Sequence, residues 1–480
     1  MTSGSKKIVG GFGWVALVKY SNDALAFLTT LILAKLLTPE DFGLVAVAGM
    51  VIETLRIFKD LGLSQALIYR QDDVERASHT MFFLVVGLNI CVFLCAVIVS
   101  PLAGRFFNNS AVVPIIAIMA SSLIWTSLRA VPDALINKEL SFQKLVVPDM
   151  VPLGVGSIVG IAMAYQGFGV WSLVVRSLIV SIGGMVLIWP YTSYRPAFQF
   201  DRKIAQDLLK YGQHIIGSSV VMVAVYNIDK FFISKFLGVG ALGAYAMASQ
   251  IANLPITQFS HIVCRLMFPV FSRMNKEVSA LREAFLKTIY YTAGVTFPMA
   301  IGIAIYGPDA IRAFYGDKWA AACIPLQILA VYALFRSLSV VIYEMFKATG
   351  RPDLMQFFVI VRLALIGVLG IPALMWLGLP GICGLIAAAN GIVLVLEVFK
   401  VAEYLAISFG EFVRALSLPL CMSVVLIPAI YWAFRFNFGV MALGHVAGGI
   451  LVTVICYAAA VFMLDKVVVS EVKKVLFSTA

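Results

Sequence analysis

A chain of 480 residues that is 61% hydrophobic and only 13% charged cannot enclose its apolar surface in a water-soluble core, because soluble domains run at roughly 45–50% apolar and about 25% charged. The formal charge of +11 is spread over many short segments with no basic domain, so it reads as membrane topology and excludes a nucleic-acid footprint. Runs of roughly 20 apolar residues, the length needed to cross a bilayer, predict helices at 10–37, 42–68, 79–100, 112–131, 149–166, 170–190, 210–237, 241–266, 284–306, 325–346, 355–376, 380–403, 413–434 and 440–464. Continuous runs such as Met81 to Ser100 and Val359 to Trp376 exclude the short alternating strands of a membrane β-barrel. The predicted class is an all-α polytopic membrane protein of about 14 transmembrane helices.

Lysine and arginine outside these spans collect on one side, among them Lys6, Lys7, Arg70, Lys138, Arg195, Arg202, Arg273 and Lys347. The opposite side carries little beyond Arg105, Arg312, Lys318 and Arg435. That asymmetry puts both termini in the cytoplasm. Met1 to Lys7 leads into a first helix too long for a cleaved signal peptide, which is expected to be retained. The seven cysteines show no Cys-x-x-Cys spacing and read as small core residues.

The segment Lys35 to Ala48 recurs at Lys235 to Ala248, with Lys35/Lys235, Leu37/Leu237, Gly43/Gly243 and Ala46/Ala246 in register. Further on, Pro101, Arg105 and Phe107 match Pro308, Arg312 and Phe314 in a Pro-x-x-x-Arg-x-Phe turn. The duplication predicts two pseudo-symmetric six-helix lobes of like orientation. The expected domains are an N-lobe at 1–190, an amphipathic linker at 191–209, a C-lobe at 210–405, and two last helices with a tail at 406–480. In the linker Asp201 is placed to cap a helix with Ile204, Leu208 and Tyr211 on one face and Arg202, Lys203, Asp207 and Lys210 on the other.

Neither a nucleotide-cradling Gly-x-x-x-x-Gly-Lys-Ser/Thr loop nor a His-Glu-x-x-His, Gly-x-Ser-x-Gly or metal-spaced Cys/His motif is present. The expectation is therefore no enzyme, no on-chain ATPase, no metal and no cofactor. Charge inside the spans is what stands out, because ionisable groups in hydrocarbon face a bundle interior or a wet cavity. Lys19 and Asp23 share one face of the first span. Glu53, Arg56 and Asp60 stand at pairing distance on the second, and Asp229 and Lys230 on the seventh. His261, Arg265, Arg336, Arg362 and Glu397 follow. Lys19, Arg56, Arg265, Arg336 and Arg362 are the candidates for binding an anionic head group, since arginine grips phosphate bidentately. Asp23, Glu53 and Asp229 are the candidates for ion coupling. Lys35, Lys235 and Glu397 read as structural.

Leu37-Thr-Pro-Glu-Asp-Phe-Gly-Leu44, Asp60-Leu-Gly-Leu-Ser-Gln-Ala-Leu67, Asn137-Lys-Glu-Leu-Ser-Phe142, Gly167-Phe-Gly-Val-Trp-Ser-Leu173, Asn227 through Gly243 and Ala348-Thr-Gly-Arg-Pro-Asp353 resemble, in order and spacing, one family. These are the Wzx-like polysaccharide exporters of the multidrug/oligosaccharidyl-lipid/polysaccharide flippase superfamily, of the colanic-acid and exopolysaccharide type. The resemblance covers roughly residues 8 to 405. It implies a V-shaped pair of lobes in the bacterial inner membrane that alternates access and flips an undecaprenyl-pyrophosphate-linked oligosaccharide. It also implies a lipid-tail groove at the last two helices, and a polysaccharide polymerase and chain-length regulator as partners. Coupling to a proton, to sodium or to the membrane potential stays open. Arg56, ahead of Ile57-Phe58, matches an arginine of the related peptidoglycan-precursor flippases, while their first-span arginine has no clear counterpart beyond Lys19. A drug or metabolite antiporter on the same fold and a membrane glycan polymerase or ligase are the alternatives.

Overall fold

The computed structural model describes residues 3–56, 62–70, 72–438 and 443–464; for 3–19, 208–209, 211–222, 226, 261–262, 264–265, 437–438, 443, 462 and 464 it describes the backbone alone. Among the described residues all regular structure is helical, and the chain divides into two units, Met1–Gly243 and Ala244–Ala480. The first holds α1 (Ser3–Leu36), α2 (Pro39–Leu55), α3 (Leu63–Tyr69), α4 (Val74–Phe106), α5 (Val112–Ala120), α6 (Ser122–Leu128), α7 (Ala130–Lys138), α8 (Val146–Tyr165), α9 (Val170–Ile188) and α10 (Arg202–Phe236). The first turns of α11 (Gly238–Ala252) also belong to it. The second unit continues with α12 (His261–Met274), α13 (Val278–Tyr315), α14 (Cys323–Ala348), α15 (Pro352–Leu405), α16 (Phe409–Phe438) and α17 (Leu443–Leu464).

Eight helices among the described residues are long and apolar enough to cross a membrane, or nine if α5–α6 and α7, bent by 42°, form one broken span. The longest, α15, is two arms. Gly378 at φ 61°, ψ −143° turns the chain between them, a conformation open to a residue without Cβ, and Pro380 follows. The two arms fall on the spans expected at 355–376 and 380–403.

Asp201 caps α10 as its position suggested, its Oδ1 accepting from the amides of Lys203 (2.8 Å) and Ile204 (3.2 Å). The amphipathic helix is not a separate element, however. No proline interrupts residues 202–236, and one helix runs through the linker into the apolar stretch that follows. Ile204 is 6% exposed and packs with Leu63, Leu67, Met81, Phe82 and Val131. The residues leading to α10 are pinned to α4. The Tyr194 hydroxyl donates to the Ser78 carbonyl (3.2 Å), the Ala197 amide to His79 Nδ1 (3.1 Å), and the Asp201 amide to Thr80 Oγ1 (3.2 Å). Burial pushes the Tyr194 hydroxyl above the ordinary tyrosine range.

The duplicated segments meet. Thr38 opens α2 with a capping box, its Oγ1 accepting from the Asp41 amide (3.3 Å) and its own amide donating to Asp41 Oδ2 (2.9 Å), with Pro39 next in line. This fixes the first turn of α2 where its backbone lies directly on that of α11. A Cβ on Gly43 would fall onto the Val239 carbonyl, 2.6 Å from its carbon and 3.2 Å from the Gly243 nitrogen. A Cβ on Gly243 would fall onto the Pro39 carbonyl, 2.7 Å from its carbon and 2.9 Å from the Gly43 nitrogen. Positions 39 and 239, and 43 and 243, thus exchange roles across a local two-fold relation.

Prolines inside helices remove an N–H and free the carbonyl four residues earlier, which hydrocarbon cannot solvate. Side chains take up three of these. Ser100 Oγ donates to Val97 beneath Pro101 (2.8 Å), the Tyr457 hydroxyl to Gly294 beneath Pro298 (3.1 Å), and Gln327 Nε2 to Ala304 beneath Pro308 (3.0 Å).

Candidate functional site

Arg56 ends α2, with its amide closing the last turn on Ile52 (2.8 Å) and its guanidinium at the carbonyl end of the helix, where positive charge is favoured. It lines a polar pocket of about 360 Å³ together with Ser64, Gln65, Thr126, Asp133 and Asn137. Each wall is fixed locally. Gly62, at φ 73° in the left-handed region that favours glycine, precedes α3, whose first residues include Ser64 and Gln65. The Lys138 ammonium ties α7 to the end of α3 through the carbonyls of Leu67 (3.3 Å) and Arg70. Arg129, at the bend between α6 and α7, clamps Asp133 through Nε to Oδ2 (2.7 Å) and Nη2 to Oδ1 (3.0 Å), and reaches Asp149 of α8 at 2.9 Å. Asp133 is thereby held by an arginine that it shares with Asp149, and it faces the pocket together with the Arg56 cation. One guanidinium with amides and hydroxyls in reach, beside a clamped carboxylate and the apolar Ile68 and Val85, can meet a phosphorylated, polyhydroxylated ligand.

The remaining candidates fall in three places. In the first unit, Glu53 finds its partner in Lys230 of α10 (3.8 Å) instead of Arg56 on its own helix, and Lys230 also donates to Asn227 Oδ1 (3.1 Å). Asp229 is half-buried beside them, and Asp23 is half-buried on α1. The Lys235 ammonium donates to the Phe106 carbonyl (2.6 Å) and lies 4.2 Å from that ring, so it closes the end of α4. In the second unit, Arg336 and Arg362 stand together. Arg362 is 6% exposed and donates to Asn390 Oδ1 at 3.2 Å, while Arg336 lies over the Tyr343 ring at 5.4 Å. Glu397 shares that cluster. The side chains of Lys19, His261 and Arg265, and all of Asp60, lie outside the described residues.

Sequence reasoning missed the Arg129–Asp133–Asp149 clamp. Its signal was the four-residue spacing of Arg129 and Asp133, which puts opposite charges on one helical face. The break at Arg129 and the distance of Asp149 along the chain concealed it.

A second cavity, of about 650 Å³, opens in the second unit along α13, lined among others by Val295, Met299, Ile303, Ile427, Val454 and Tyr457. It is predominantly apolar, and α16 and α17 contribute to one wall. Tyr306 ties α13 to α17 through Thr453 Oγ1 (2.8 Å). Among the described residues no cluster of three or more His, Cys, Asp or Glu could hold a metal ion.

Residues 32–325 match the family described as polysaccharide biosynthesis protein. The chain is 24% identical over 432 residues to the lipopolysaccharide biosynthesis protein WzxC of Escherichia coli K12, covering 87% of this chain and 86% of that one. It is 26% identical over 331 residues to the succinoglycan biosynthesis transport protein ExoT of Rhizobium meliloti, covering 69% and 67%. Its fold is similar to that of the lipid II flippase MurJ in an inward closed conformation, with a TM-score of 0.71, 13% identity, and coverage of 94% and 98%. The chain is a multi-pass membrane transporter and not a catalyst, and it belongs to the polysaccharide biosynthesis protein family.

Proposed function

We propose that this protein flips an oligosaccharide linked to a polyprenyl pyrophosphate from the cytoplasmic to the periplasmic leaflet of the bacterial inner membrane, by alternating access, with both termini in the cytoplasm. The observation that carries the reading is the pairing of two unlike cavities in one chain. A polar pocket around Arg56, with Ser64, Gln65, Thr126 and Asn137, offers a cation to a phosphate and amides and hydroxyls to sugars. An apolar groove along α13, α16 and α17 offers an isoprenoid chain the lining it needs. The relatives' names supply the class of glycan: lipopolysaccharide and succinoglycan biosynthesis. A polymerase and a chain-length regulator are the proteins such a transporter would feed.

Transport of a labelled undecaprenyl-pyrophosphate oligosaccharide in proteoliposomes tests the reading. Losing charge-assisted hydrogen bonds worth about 1.5–3 kcal/mol should slow the Arg56→Ala variant by about 10- to 150-fold. Arg56→Lys should keep part of the rate, because the charge stays and the fork is lost. A normal rate for Arg56→Ala would remove Arg56 from the head-group site.

A further inference from the structure

Two groups of opposite charge line one polar pocket, Arg56 from the end of α2 and Asp133 from α7. A carboxylate that pairs with Arg56 there competes with any anion for the same guanidinium. Where the Asp133 carboxylate points is decided by Arg129. The guanidinium takes both of its oxygens, Nε to Oδ2 at 2.7 Å and Nη2 to Oδ1 at 3.0 Å, and holds Asp149 of α8 at 2.9 Å. The main chain of Asp133 is fixed too, its amide donating to the Arg129 carbonyl (2.9 Å) and its carbonyl accepting from Asn137 Nδ2 (2.8 Å). The carboxylate thus keeps only its side-chain torsions, and a bidentate fork sets those.

The fork has a seat of its own. α9 passes Arg129 at Gly184, where a Cβ would stand 2.5 Å from Nη1 and 3.4 Å from the Pro148 carbonyl oxygen. A methyl group at 184 therefore pushes the guanidinium out of place without changing any charge. Among the described residues neither Arg129 nor Asp149 lines the pocket, so both act on it from behind Asp133. One arginine serves two carboxylates, and the trio keeps a negative charge in excess beside the pocket that Arg56 lines.

We propose that Arg129 is a positioning residue of the head-group site: by holding the Asp133 carboxylate it keeps that group from pairing with Arg56, and so leaves Arg56 to an anionic head group. Gly184 belongs to the device, because it makes room for the fork. The inference rests on the reading of the pocket as a head-group site.

The experiment measures binding of undecaprenyl pyrophosphate to the full chain in detergent. Arg129→Gln should weaken binding by about 10-fold or more, since Asp133 then takes the charge-assisted bonds that the ligand needs. Gly184→Ala, which alters no charge, should weaken it in the same direction. Adding Asp133→Asn should restore binding in both backgrounds. Adding Asp149→Asn, which removes the same charge from the carboxylate that does not line the pocket, should not. Equal rescue by Asp149→Asn would reduce the effect to a general field and overturn the proposal. Undiminished binding by Arg129→Gln, or no rescue by Asp133→Asn, would overturn it as well. A second measurement needs no lipid. A double-mutant cycle of Arg56→Gln and Asp133→Asn, read by thermal unfolding, should show coupling in the Arg129→Gln background and little in the wild type. No gain in coupling would overturn the proposal. A wild type that fails to bind the lipid would count against the head-group reading alone, and the cycle would still decide what Arg129 does.

Discussion

Replacing Gly43 by alanine tests the meeting of the duplicated segments most directly. The added Cβ would lie 2.6 Å from the Val239 carbonyl carbon, with that carbonyl's oxygen nearer still. Carbon atoms in ordinary contact are about 3.5 Å apart, so the two backbones must separate by roughly 0.9 Å or more. The obstacle is main chain, which cannot rotate aside as a side chain does. Overpacking of this kind costs about 1–3 kcal/mol, equivalent to a roughly 5- to 150-fold loss in the population of this arrangement. Gly49, two turns along the same helix, has nothing within 4 Å of its Cβ position. Gly49→Ala should therefore stabilise by about 0.5–1 kcal/mol through reduced backbone entropy. Thermal unfolding of both variants in one detergent separates the two effects, since helix propensity acts alike on both and the clash acts only on Gly43→Ala. Gly243→Ala should behave like Gly43→Ala. The double variant should cost less than the two single costs added together, because one separation of the backbones admits both methyl groups. A Gly43→Ala variant as stable as the wild type, or strict additivity in the double variant, would refute the crossing.

Two further outcomes follow from the same kind of accounting. Tyr457→Phe leaves the Gly294 carbonyl beneath Pro298 without its 3.1 Å donor, beside an apolar cavity. The loss should be about 1–3 kcal/mol, read as a lower midpoint of thermal unfolding, and an unchanged midpoint would contradict it. For Tyr194, burial raises the folded-state pKa, so its contribution to stability is complete below the ordinary tyrosine range and is lost as pH rises through the raised folded value. Alkaline absorbance titration should show a phenol that ionises after the exposed ones and is missing from Tyr194→Phe.

Composition and run length were enough to read the class of the protein, and the repeat was visible as matching letters at Lys35/Lys235 and Gly43/Gly243. That the two glycines lie against each other was not visible, because a matching pattern says that two segments are alike and says nothing of which faces meet. The same gap explains Glu53. Its neighbours in sequence offered Arg56, three residues on, while the partner it takes is Lys230, on a helix nearly 180 residues later. Arg56 was legible as a head-group candidate because a cation in a hydrocarbon span needs a reason. Its neighbours Thr126, Asp133 and Asn137 were not, since uncharged polar groups and a clamped carboxylate carry no such signal. Glu397 read as structural from sequence. Its complete burial beside Arg336, Arg362 and Tyr343 exists only in three dimensions.

The prolines of α13 have a mechanical meaning. A helix that lacks its own hydrogen bond at two points is jointed, and bending there breaks nothing within the helix itself. What holds the joints is borrowed: Tyr457 from α17 clasps one, and Gln327 from α14 clasps the other. Stiffness in α13 is thus a property its neighbours confer and can withdraw. Tyr457 also lines the apolar groove, so whatever fills that groove bears on a latch of the rod beside it.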